Sequence, residues 1–145
     1  MVLIYAATAD LTTWTEAAAP ANATQLLRTA SLLVREHTLT AYYDVDPATN
    51  LPTDPDIKQA FSDATCAQVA MWVAAGIDPT TTGIPQTGVL RGKRIGTAAL
   101  DYDTAAVSSV TGMQARRVAA TTLCQEAVLI LQQARLNNNG PWTVG

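Results

Sequence analysis

One histidine, two cysteines, a scatter of glycines and a cluster of aspartates are the residues of this chain that could do chemistry. His37 could serve as a general base, but it falls on the apolar stripe of a helix. A core or helix-end imidazole bonded to a carbonyl is the expected role there. No Ser or Cys has a base partner close in sequence, and no Gly-x-Ser-x-Gly nucleophile elbow occurs. Cys66, Cys124 and His37 do not have the spacing of a zinc site, and both thiols are expected to be buried in apolar helical contexts in a reducing compartment. Gly83, Gly88, Gly92 and Gly96 form neither a Gly-Lys-Ser/Thr nor a Gly-x-Gly-x-x-Gly phosphate loop. Asp44, Asp46, Asp54 and Asp56 lack the sixth-position Gly and closing Glu of an EF-hand, so they read as an acidic solvated loop. The expectation is a protein that is not an enzyme, with no cofactor, no metal and no catalytic residue.

Charge placement carries more information. Residues 1–90 hold nine acids and three bases (−6), and residues 91–145 hold three acids and six bases (+3), giving the net −3. Arg91, Lys93, Arg94, Arg116 and Arg117 supply five of those six bases. They could touch an acidic partner surface or a passing DNA backbone. The aromatic interleaving of a single-strand binder is missing, with Tyr102 the only candidate.

The elements that must position these residues are helical in pattern. Thr8-Ala9-Asp10 reads as a Thr-capped start, with Leu11 and Trp14 on one face of a short helix that ends before Pro20. Asn22 caps a second helix to about His37, with Leu26, Leu27, Ala30, Leu33, Val34 and His37 as its stripe. A proline-bearing loop, 38–54, leads to Asp54-Pro55-Asp56, a strong helix start of Asp cap and Pro at the first position. This third helix is expected to run to Ala75 and stop at Gly76. Residues 89–103 read as two short strands or one extended excursion, and 111–135 as one long closing helix of about 35 Å. The expected fold is mostly α: a small domain of about four helices, with an extended or β-hairpin excursion before a long C-terminal helix. The helical domain covers 1–135, and 136–145 forms a C-terminal tail.

The chain is 145 residues long, one domain in size, and 14% of it is charged, well below the typical ~25%. With 26 Ala and 21 Thr, small residues stand where charges would usually be. A chain that hides surface against partners tolerates such a coat better than a free monomer does. Ala60, Ala67, Ala70 and Ala74 give the third helix a smooth face on which Ala67 and Ala70 are candidate contacts, within or between subunits. Arg91, Lys93 and Arg94 are candidates for a projecting partner contact, and Trp142 for an anchor in the tail, because Trp is enriched at interface hot spots. No apolar run spans a bilayer and no secretory signal is visible, so a membrane protein is not expected.

Tyr5-Ala6-Ala7-Thr8-Ala9-Asp10-Leu11 followed by Trp14 resembles the start of the head-to-tail adaptor proteins of long-tailed bacteriophages. The Ala/Leu-rich stretch from Ala23 to Arg35, the Asp54-Pro55-Asp56-Ile57-Lys58 start leading into Ala67–Ala75, the Gly92–Gly96 segment before Ala99-Leu100-Asp101-Tyr102, and the closing helix follow the same order. The resemblance covers nearly the whole chain through spacing and alanine texture. It implies a structural virion protein at the head–tail interface, assembled in the host cytoplasm. It further implies a homo-oligomeric ring of about a dozen copies beneath the portal protein. Such a ring continues the DNA channel and offers a platform to the next connector, stopper or tail protein, and DNA passes through without sequence-specific binding. The family has no catalytic residues to carry over. The alternative from the residues alone is a small helical regulatory or nucleic-acid-binding protein using Arg91–Arg94 and Arg116-Arg117.

Overall fold

The computed structural model describes residues 2–81, 93–95, 98–100 and 110–136, with backbone alone for 93–95, 98–100 and Val110. Within them lie α1 (Thr8–Thr15), α2 (Ala23–His37), α3 (Pro55–Ala75), a single 3-10 turn at Pro79–Thr81, strands β1 (Lys93–Ile95) and β2 (Ala98–Leu100), α4 (Val110–Thr121) and α5 (Gln125–Gln133). The domain is small and mostly helical, as its sequence leads one to expect. The two short strands pair antiparallel, with Lys93 opposite Leu100, Arg94 opposite Ala99 and Ile95 opposite Ala98.

α3 is the axis. Its start follows the sequence: the Asp54 carboxylate accepts from the Asp56 amide at 2.9 Å, Pro55 opens the helix, and Asp56 sits in the first turn. Gly76 ends it at φ 62°, with the Ile77 amide on the Trp72 carbonyl and the Gly76 amide on that of Val73. α1, α2 and α5 all pack on α3. One cluster gathers Leu11 of α1, Leu26, Leu27 and Ala30 of α2, and Cys66, Val69 and Trp72 of α3. A second, toward the start of α3, gathers Val34, Phe61, Ala64, Ala67, Ala127, Leu131 and Leu136. Phe61 is stacked on Tyr5, with centroids 4.7 Å apart, and meets Tyr43 edge-on at 5.3 Å. The Tyr5 amide donates to the Ser31 hydroxyl at 3.1 Å, which fixes the N-terminal segment across α2.

α1 differs from its sequence reading at both ends. Ala7, not Thr8, is the cap residue, because the Asp10 carboxylate takes the Ala7 amide at 2.7 Å and Thr8 is already helical. Glu16 turns left-handed at φ 52°, closing the helix before Pro20 is reached. Leu11 is buried, but Trp14 stays 37% exposed instead of sharing its face. Asn22 does occupy the cap position of α2, without a side-chain capping bond.

The single closing helix expected over 111–135 is two helices. α4 ends at Thr121 and α5 starts after Cys124, which is extended at φ −68°, ψ 157°. The Thr121 and Thr122 hydroxyls donate back to the Arg117 and Val118 carbonyls at 3.0 and 2.7 Å. Such back-bonding weakens a helix locally. The larger cause is tertiary and lies on α3. α5 then closes like α3, through a left-handed residue: Arg135 at φ 61°, with the Leu136 amide on the Leu131 carbonyl at 2.9 Å. Leu136, which the sequence places at the head of the tail, is 2% exposed and part of the second cluster.

The threonines follow one rule. Hydroxyls of Thr12, Thr13, Thr15, Thr29, Thr38 and Thr65 each donate to the carbonyl four residues back. With the hydroxyl so occupied, each threonine shows its neighbours mainly a methyl group. The helices are therefore less polar outside than their composition suggests.

Candidate partner interface

The α4–α5 junction is built by α3. Gln68 is fully buried; its carboxamide nitrogen donates to the Thr122 carbonyl at 3.2 Å, and its oxygen accepts from the Cys124 amide at 2.6 Å. One turn further along, the Trp72 indole N–H donates to the Ala119 carbonyl at 2.8 Å. At the end of α3, the Arg116 guanidinium donates to the Gly76 carbonyl at 2.6 Å and the Ala75 carbonyl at 3.4 Å. These contacts satisfy backbone groups that three helix ends, those of α3 and α4 and the start of α5, leave unpaired. Neither Gln68 nor Trp72 stands out in the sequence as functional; a glutamine within a run of apolar helix positions was the one available signal.

Of the sequence's candidate contacts, Ala67 makes its helix contact within the chain. It is 1% exposed and packed with Val34, Ala127 and Leu131, so its helix contact lies within the chain and it has no surface to offer a neighbour. Ala60 is likewise buried, whereas Ala74 is exposed. Ala70 is half-buried beside Leu11, Pro20 and Val73 on an apolar groove of about 220 Å³ between α1 and α3. Lys93 and Arg94 fall in β1, where the backbone alone is described. Arg91 and Trp142 lie outside the described residues.

His37 ends α2, half-buried, with its Nε2 buried and without a hydrogen-bond partner among the described residues. It lines a cavity of about 290 Å³ with Leu33, Glu36, Thr121, Thr122 and Leu123. The carbonyl partner expected for this nitrogen is not there. Among the described residues no group of three or more His, Cys, Asp or Glu side chains could hold a metal. Asp46 is instead used by its own turn, accepting from the Ala48 amide at 2.9 Å and the Thr49 hydroxyl at 3.2 Å. Cys66 is buried and free, and Cys124 is free but only half-buried, at the junction rather than inside a helix. Burial, with the Asp10 and Asp63 carboxylates nearby, pushes the Cys66 thiol up to about 11; burial also raises Cys124. Neither is an activated nucleophile at neutral pH.

The outer surface carries several large apolar side chains. Among the described residues, eleven large apolar side chains are more than a third exposed. Tyr42 at 97% and Leu39 at 70% stand just past α2; Leu32, Val73, Val118 and Leu129 are each near half. Leu32 could have been found from sequence, since it lies off the apolar stripe of α2. No helix among the described residues is long and apolar enough to cross a membrane. Compared with models of known protein families, with curated proteins and with solved structures, the chain matches none. The fold and surface define a class only: a small, mostly helical domain with uncovered apolar side chains.

Proposed function

We propose that this chain is a structural head-to-tail adaptor of a long-tailed bacteriophage. Its copies would form a ring beneath the portal, continue the DNA channel and present a platform to the next connector or tail protein. The observation that carries the reading is the coat: eleven exposed large apolar side chains among the described residues of a chain only 14% charged. Apolar side chains this exposed, where they adjoin, are surface of the kind that contact with another protein covers. The order of α1, α2 and α3 follows the resemblance drawn from the sequence, which has one long closing helix where this chain has α4 and α5.

In such a ring each copy presents one face to the next and the opposite face to the one before, a head-to-tail contact that closes by rotation. Leu32, Leu39, Tyr42 and Val118 are surface of the kind that such a contact covers. Light scattering on the purified chain, paired with duplex-DNA binding at two salt concentrations, tests the reading. Rings, or concentration-dependent growth into them, with weak sequence-independent DNA affinity, are expected. A monomer or dimer with tight, steeply salt-dependent DNA binding would favour the regulator reading instead.

A further inference from the structure

The break between α4 and α5 has no breaker in its own sequence. Thr121-Thr122-Leu123-Cys124 contains neither proline nor glycine, and Ala120, Leu123, Ala127, Ile130 and Ala134 keep helical spacing straight through it. The last bond of α4 joins the Thr122 amide to the Val118 carbonyl at 3.0 Å. The first of α5 joins the Val128 amide to the Cys124 carbonyl at 3.1 Å. Between them, the Thr122 carbonyl and Cys124 amide are held by Gln68, and the Ala119 carbonyl by Trp72. In an unbroken helix the same three groups would pair with the Glu126 amide, the Ala120 carbonyl and the Leu123 amide. Every bond that α3 supplies thus has a backbone substitute within 110–133.

The two helices are also unequally held. α5 puts Ala127 and Leu131 into the core. α4 buries Ala120 alone among its described side chains, and polar bonds from Gln68, Trp72 and Arg116 tie it to α3. We propose that Gln68 is the latch of a two-state helix. Engaged, it keeps α4 and α5 separate and α4 fastened to α3. Released, the amides of Leu123 to Ala127 take up their own helical partners, the two fuse into one helix over 110–133, and α4 comes free of Gln68 and Trp72 while α5 stays docked. A partner that binds the freed α4 better than the fastened one shifts the population by that difference in affinity. The proposal does not depend on the adaptor reading.

Backbone chemical shifts of residues 122–125 in the full chain report the two states directly, because Cys124 is extended in one and helical in the other. Gln68→Met keeps the volume and removes both bonds. The Cys124 shifts should move to helical values, with slower amide exchange at Leu123 to Ala127. Adding Gln125→Pro should restore the extended values. Cys124 already has the conformation a residue before proline takes, and proline suits the first position of a helix but not its interior. Shifts in Gln68→Met that stay extended, or become those of disordered chain, would overturn the proposal, as would failure of Gln125→Pro to reverse them. Should Gln68→Met not fold, Thr121→Ala with Thr122→Ala, which leaves α3 intact, must move the same shifts toward helix; no movement overturns the proposal.

Discussion

A 2.6 Å hydrogen bond joins the Cys124 amide to the Gln68 side-chain oxygen across 56 residues of sequence. It does for the start of α5 what the Glu or Gln of a local capping box does elsewhere, accepting from the amide of the cap residue, while the Cys124 side chain itself makes no capping bond. Gln68→Ala leaves the part-buried Thr122 carbonyl and Cys124 amide to find other partners. It should lower the unfolding free energy by about 1–3 kcal/mol. Urea unfolding followed by circular dichroism measures it, and a midpoint equal to the parent's would show that the bond contributes nothing net.

Ala67 and Ala70, three residues apart on α3, should respond in opposite ways to the same enlargement. Ala67→Leu must push into Val34, Ala127 and Leu131 and should cost about 1–3 kcal/mol by overpacking. Ala70→Leu has the α1–α3 groove to occupy, so its thermal midpoint should stay close to the parent's. Equal losses in the two would mean that the groove does not admit a side chain.

The contrast also shows what the sequence can and cannot carry. α2 and α3 were legible because their signals are local: an apolar stripe, Asp54-Pro55-Asp56, and a stopping glycine at Gly76. The alanine face was legible as a packing surface but not as inside or outside, because alanine suits both. The split of the closing helix was not legible at all. Its cause is a glutamine and a tryptophan on another helix, and periodicity records nothing of a partner more than forty residues away. The shift of the α1 cap from Thr8 to Ala7 is local by contrast, since the Asp10 carboxylate reaches back three residues to accept the Ala7 amide. Of the candidate site, the basic residues and the poverty of charge were visible, and the exposed Leu39 and Tyr42 were not, because no pattern marks an apolar residue in a loop as uncovered.

The Cys66 thiol gives the fold a pH dependence with a definite sign. Its proton is held more tightly in the folded chain, up to about 11 against an ordinary 9.0. Its contribution is therefore complete below pH 9 and is lost as the pH rises from 9 toward 11. Unfolding free energy should fall over that window, and Cys66→Ala should flatten the fall. Burial raises Tyr5 above 10.0 as well, so a smaller slope should remain in the variant. Identical slopes in parent and variant would contradict the assignment to Cys66.

Leu136 and the nine residues after it should separate cleanly. Leu136→Ala opens the second cluster beside Leu131 and should cost about 2–4 kcal/mol. Ending the chain at Leu136 removes Trp142 and should leave the thermal midpoint within a degree or two while weakening attachment to a partner surface. A truncated chain that melts far below the parent would place Trp142 in the fold of the single chain instead.

The adaptor reading meets its most direct test in the assembly state of the purified chain, observed by electron microscopy with native mass spectrometry on the same sample. The account expects closed rings of about a dozen copies around a central channel wide enough for duplex DNA, weakened when Leu39 and Tyr42 are both replaced by Ser. A chain that remains monomeric or dimeric at every concentration and salt, with Leu39 and Tyr42 still bare, would contradict it.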